Sequence, residues 1–237
     1  MIYFHGDIHG QSEMLVHSLK RWGVGPGDTV VLLGDVGLNF YGPKGRDRRN
    51  KAALEKTGID YLCIHGNHEM RPGTLPSYHA EAWHGGEVYV EEAFPHLRFA
   101  KDGEVFDLEN HQAIVLGGAY SVDKFYRLER GIPWFADEQP SDEIKAAAED
   151  RLDSLGWKVD LVLSHTCPAK YIPVECFLPF VDQSTVDRST ENWLDGIENR
   201  LDYKQWFCGH WHIDKHIDRL HFLFQTLDGL YQYESED

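Results

Sequence analysis

Two pairs of side chains in this sequence are spaced to grip something from one side: Asp7 with His9, and His210 with His212. Residues two apart in extended backbone project from the same face, so each pair presents two donors together. Three further polar clusters follow apolar runs in the same style, with Asp35 in LLGDVG, Asn67 and His68 in IHGNHE, and His165 in LVLSHTC. Asp7, His9, Asp35, Asn67, His165, His210 and His212 together offer two carboxylates, four imidazoles and one carboxamide. That mixture of hard oxygen and borderline nitrogen suits Mn, Fe, Zn, Ni or Co. Seven donors are too many for one ion, whereas two ions sharing a carboxylate would leave open positions for water and a reactant, as a catalytic site requires.

These residues are far apart in sequence, so the elements that carry them must bring them together. The runs IYFHGDIHG, TVVLLGDVG, YLCIHGNHE, LVLSHTC and QWFCGHWH each read as a strand ending in polar chemistry. Amphipathic stretches lie between them, over Ser12–Trp22 and residues 50–56, 141–155 and 189–201. For the third, Pro140 and Ser141 precede acidic Asp142 and Glu143, and Gly156 follows, which are start and stop signals. Strands alternating with helices predict an α/β domain, and in such sheets ligands bind where the strands end. EVYVEEA, LRFAKDGEVFDLEN and HQAIVLGGAY predict instead a run of antiparallel strands, with Asp102 and Gly103 as a turn. The C-terminal RLHFLFQTLDGLYQY predicts another hairpin, turning at Asp228 and Gly229, so a second sheet is expected.

Composition narrows the classes. With 237 residues, 42% of them hydrophobic, the chain can bury a full core and is expected to form one domain, 1–237. It has no apolar run near the roughly 20 residues of a membrane-spanning helix, and its start has no basic patch before an apolar stretch, so a cytoplasmic, unprocessed protein is expected. The four cysteines have no paired spacing and read as reduced thiols. A net charge of −16 argues against coating duplex nucleic acid, which relies on cationic side chains displacing counterions. An acidic surface also repels an anionic reactant unless the site concentrates positive charge of its own, which bound metal ions would supply.

The ordered blocks D-x-H, GD, GNH followed by acid, a later lone His, and GHxH resemble the signature of the calcineurin-like metallophosphoesterase superfamily. The resemblance runs from Asp7 to His212, and LGGAYSVDKFYRLERG is similar to its small bacterial and phage-borne members. It implies a four-layer αββα sandwich with two mixed β-sheets. It further implies two divalent ions, manganese favoured, with Asp7, His9 and His212 holding one, Asn67, His165 and His210 the other, and Asp35 bridging. The implied reaction is attack of a bridging hydroxide on the phosphorus of a small phosphomonoester or phosphodiester, with His68 as general acid, Asp35 catalytic through the ions it bridges, and Asn67 also contacting the substrate. The protein phosphatase branch continues GDxxDRG, whereas Leu38 and Asn39 stand here, so the aspartate that orients the acid histidine and the arginine that holds phosphate must be replaced by other groups.

Glu69 or a main-chain carbonyl is a candidate for the orienting role. Residues 120–135, with Lys124 and Arg127, and Arg71 are candidates for a substrate wall, although the segment could equally be a surface hairpin. Residues 168–188 read as a lid or a long connection. His5 and His65 precede the motifs and are expected to pack. Singly, each donor has an ordinary explanation, since an Asp after a strand commonly starts a turn; seven in order do not. Competing functions are a non-catalytic binding scaffold of the same fold and a nuclease acting on short single strands. A scaffold has no need of His68 beside Asn67 or of both histidines in GHWH. The oligomeric state is not legible.

Overall fold

In the computed structural model, described for residues 1–177 and 183–233, two mixed sheets pack face to face and helices cover both outer surfaces. The first sheet holds β1 (Ile2–His5), β2 (Thr29–Leu32), β3 (Asp60–Cys63), β4 (His79–Trp83), β5 (Gly86–Val90), β6 (Leu97–Ala100) and β13 (Leu227–Gly229), in the order β13-β1-β2-β3-β6-β5-β4. The second holds β7 (Val105–Leu108), β8 (His111–Leu116), β9 (Leu161–Ser164), β10 (Gln205–Cys208), β11 (Lys215–Ile217) and β12 (Leu220–Phe222), in the order β11-β12-β10-β9-β8-β7. Helices α1 (Ser12–Trp22) and α2 (Arg46–Glu55) cover the first sheet, and α4 (Asp142–Ser154) and α5 (Ser189–Glu198) the second. The expected αββα layering is thus the observed one.

Three apolar layers follow from that order. Between the sheets, Phe4, Leu33, Leu62, Phe106, Val115, Leu163 and Phe207 are buried, and the Phe4 and Phe207 rings stack at 4.0 Å. Leu15 and Leu19 of α1 and Leu54 of α2 bury against Tyr61 and Phe99, while Leu152 of α4 and Leu194 of α5 bury against Val162 and Trp206. β1 and β9 are buried at every position, as strands covered on both faces must be.

The site-bearing strands are the parallel ones. β1, β2 and β3 pair in register, with His5 beside Leu32 and Leu32 beside Cys63, so the loops after them leave the sheet at one level. β9 and β10 do the same, with Ser164 beside Cys208.

Several expectations are corrected. Asp102 and Gly103 form the expected turn, but it joins no hairpin: it carries the chain from β6 in one sheet to β7 in the other. Asp228 and Gly229 are not a turn but part of β13, antiparallel to β1. Local turn chemistry is the same in both cases, and only the partner strand decides. Residues 120–135 are not a hairpin: they contain α3 (Lys124–Arg130), ended by Gly131 in the left-handed conformation. α2 begins at Arg46 rather than near residue 50, because its first turn is charged and shows no apolar period. Within the 168–188 stretch, residues 178–182 lie outside the described residues, and the rest includes two short 3-10 turns. No helix among the described residues is long and apolar enough to cross a membrane.

Candidate metal centre

The loops after β1, β2, β3, β9 and β10 converge. Asp7 Oδ2 lies 3.2 Å from His212 Nε2 and 3.8 Å from His9 Nε2, and the two imidazole nitrogens are 2.9 Å apart. Asn67 Oδ1 is 2.9 Å from His165 Nε2 and 3.1 Å from His210 Nδ1. Asp35 reaches both groups, with Oδ1 3.6 Å from His165 Nε2 and Oδ2 3.9 Å from His9 Nδ1. All seven sequence candidates for metal ligands therefore meet in one place. Two triplets can each hold an ion, Asp7, His9 and His212, and Asp7, Asp35 and His165, so Asp7 as well as Asp35 spans the centre.

The backbone at these positions is unusual. His9, Asp35, His210 and His212 all have positive φ, between 44° and 66°, a region that side chains other than glycine rarely adopt. Such conformations cost about 1–3 kcal/mol each and persist only where surrounding structure enforces them. Here the enforcement is visible: His9 N–H donates to the Asp35 carbonyl, His210 N–H to Asp7 Oδ1, and His68 N–H to Asp35 Oδ1, each at 2.8 Å. The glycines close the loops around them. A side chain at Gly34 would run into the His165 ring, and one at Gly209 into the Asp7 carboxylate.

Electrostatics test whether cations fit. His165 is fully buried, and its Nδ1 donates to the Leu33 carbonyl at 2.7 Å, so in the neutral ring Nε2 carries a lone pair. That lone pair faces the oxygens of Asn67 and Asp35, all acceptors with no proton between them, while Asp7 and Asp35 bring two buried carboxylates to the same place. A cation resolves both. Burial alone would raise the Asp7 carboxyl, but the hydrogen bond from His212 and the nearby His165 and His9 hold it down to about 2. Burial pushes His210 down to about 3, with His165 adding to the effect. Both residues are thus in ligand form near neutral pH.

His68 is partly buried, and burial lowers its pKa against the opposing pull of Asp35, 3.8 Å away. Arg127 from α3 places Nη2 3.4 Å from His68 Nε2, with its own Nε fixed by Asp123 at 2.7 Å. Glu69 does not take the orienting role: its Oε1 accepts from Gly66 N–H and Val36 N–H, tying two site loops together, and burial with Asp35 nearby pushes it up to about 8. Leu38 belongs to the core, and Asn39 accepts from Lys51 and Tyr78 beside the buried Lys51–Glu91 pair. The guanidinium beside His68 therefore comes from α3, far along the chain.

Two clefts open on His68. One, about 390 Å³, is walled by Tyr120, Ile172, Phe177, Val186 and Trp211 with Arg188 at its side. The other, about 170 Å³, lies between His9, Phe40, Tyr41, Arg46 and Arg127. Arg71 and Lys124 line neither cleft, in contrast to the expectation. Arg71 is taken up by Asp102, 2.6 Å away, and the Asp137 carbonyl, and Lys124 sits over the Trp134 ring at 4.2 Å. His5 hydrogen-bonds the Gly6 carbonyl and His65 is buried; neither belongs to a ligand triplet. Sequence reasoning missed Ser121, whose hydroxyl accepts from Asn67 Nδ2 at 2.9 Å, and Trp211, which stacks on Phe177. An aromatic residue between two candidate ligands was the available signal for Trp211; Ser121 had none.

Comparison with known proteins agrees with this geometry. No curated protein matches the chain. Among solved structures, TT1561 of Thermus thermophilus is similar over 94% of this chain and 87% of its own, with a TM-score of 0.51 and 14% identity, a likeness of fold. Residues 1–214, which hold every ligand candidate, match the model for the calcineurin-like phosphoesterases, and the chain belongs to that family.

Proposed function

We propose that this protein is a dinuclear metal-dependent hydrolase of small phosphodiesters. Family membership supports a metal-dependent phosphoesterase in general. The observation that carries the finer reading is that His68 lines both clefts. A phosphorus held beside His68 would send one ester arm into each, whereas a monoester would leave one unused. Tyr120, Phe177 and Trp211 suit a flat aromatic or nucleobase arm, and Arg127 and Arg46 suit a polar or anionic one.

Asp7, His9, His212, Asn67, His165 and His210 would hold two divalent ions, manganese favoured, with Asp35 between them. Bound there, such ions neutralise phosphoryl charge and lower the pKa of water. The protein's own contributions are separate. Ser121 fixes the Asn67 carboxamide through its Nδ2, which leaves Oδ1 turned toward His165 and the ion site, and the Asp35 carboxylate holds the His68 main chain. His68, positioned through its main-chain hydrogen bond to Asp35, acts as the general acid that protonates the leaving alkoxide. Arg127 brings a cation toward the phosphoryl oxygens in place of the arginine absent at position 39.

The test is turnover of bis-p-nitrophenyl phosphate against p-nitrophenyl phosphate, with Mn²⁺ and with chelator. The diester is expected to have the higher kcat/KM and to lose turnover with chelator. Hydrolysis of the monoester alone would overturn the diester reading, and no metal-dependent turnover of either would favour a binding scaffold.

A further inference from the structure

A second cluster of ligating side chains lies at the open edge of the sandwich. His216 on β11 and His221 on β12 are direct cross-strand partners in the second sheet, while Asp228 is on β13, the edge strand of the first. His216 Nδ1 is 3.0 Å from His221 Nδ1, and His216 Nε2 is 3.5 Å from Asp228 Oδ2. One ligand atom from each residue falls within 4.8 Å of the others. The cluster shares no residue with the Asp35 centre, yet it repeats the arrangement there, where His9 and His212 stand 2.9 Å apart beside Asp7.

The surroundings prepare two of the three. His221 is buried against the Phe207 ring, and its Nε2 lies 2.6 Å from Gln205 Oε1, an acceptor. That nitrogen therefore carries the ring proton, and Nδ1 presents a lone pair toward His216. Asp228 is also buried, and Tyr233 donates to its Oδ2 at 2.8 Å, setting the carboxylate's orientation. His216 is half exposed and can turn one nitrogen to an ion arriving from solvent. Ligands on one tetrahedral ion with bonds of about 2.0–2.1 Å stand about 3.3 Å apart, so from a set lying within 4.8 Å a turn of the exposed His216 ring brings the three donors onto one ion.

We propose that His216, His221 and Asp228 form an additional cation site, for a single late first-row divalent ion such as Zn²⁺, that clasps the edge strand of one sheet to the edge hairpin of the other. Two imidazoles and one carboxylate favour such an ion over Mg²⁺ or Ca²⁺, and the exposed fourth position would hold water. An ion bound only by the folded chain stabilises it, because the unfolded chain does not hold the three ligands together.

The experiment compares chelator-stripped wild-type protein with His216→Ala and Asp228→Asn after saturation with Zn²⁺ and desalting, counting bound metal per chain by mass spectrometry. Each variant is expected to hold one ion fewer than wild type and to lose part of the Zn²⁺-dependent rise in Tm. His216→Ala should keep Mn²⁺-dependent phosphodiester turnover, since His216 lies outside the Asp35 centre. The difference in ion count is independent of how many ions that centre holds, so the outcome does not depend on the proposed function. His216→Gln serves should the alanine variant fold poorly. Equal ion counts in wild type and variants would overturn the proposal and leave a hydrogen-bonded imidazole pair.

Discussion

The two sides of the site are built differently. On the ligand side, Asp7, Asp35, Asn67 and His165 are almost fully buried, stand at the ends of parallel strands, and are held by main-chain hydrogen bonds and strained backbone. On the facing side, α3 buries none of its residues, Val122, Phe125 and Tyr126 are exposed, and Arg127 is held by the Asp123 carboxylate at the head of the helix and the Pro133 carbonyl. Burial and hydrogen bonding leave the ligand side no alternative arrangement. A surface helix with few packed contacts can vary without unfolding the core. Under the proposed function, the contrast assigns the chemistry to the rigid side and the choice of substrate to the adaptable one.

Substitutions rank accordingly. Asp35→Asn should lower kcat/KM for bis-p-nitrophenyl phosphate by about 10⁴-fold or more, because charge stabilisation and water activation are lost together. His68→Ala should lower kcat by about 10²–10³-fold, as removal of a general acid does, and less for leaving groups that need no proton. Ser121→Ala, which frees one end of Asn67, should cost about 10–100-fold in activity or metal affinity, with the loss reduced at high Mn²⁺. Arg127→Ala should raise KM by roughly tenfold, since a charge-assisted hydrogen bond contributes about 1.5 kcal/mol or more. Lys124→Ala should change KM by less than about twofold, because its cation lies over Trp134. An Arg127 effect as large as that of Asp35 would break the division between the two sides. A Lys124 effect equal to that of Arg127 would show that the whole helix face, rather than one residue, meets the substrate.

Fold and site were legible to different depths. The strands bearing ligands were readable because both faces of each are buried, which leaves an apolar run ending abruptly in Asp, Asn or His. α3 was not, because a short helix with no buried side leaves no apolar period. The DG dipeptide at 102–103 does turn, but between sheets, and the one at 228–229 lies in a strand, because a turn signal is local while strand pairing is not.

The sequence by itself determined the donor set and its order, because each donor stands a few residues beyond an apolar strand. The extended backbone expected within the pairs is not found, and left-handed backbone at His9, His210 and His212 aims those side chains instead. Only the tertiary structure decided that Arg127 stands beside His68, that Ser121 rather than a motif residue holds Asn67, and that His216, His221 and Asp228 meet across two sheets. Those contacts join residues 12 to 59 positions apart, apart from the cross-strand histidines, and the packing of α3 and the edge strands creates them. No local rule reaches that far, because the free energy that selects such neighbours comes from burying the core beneath them.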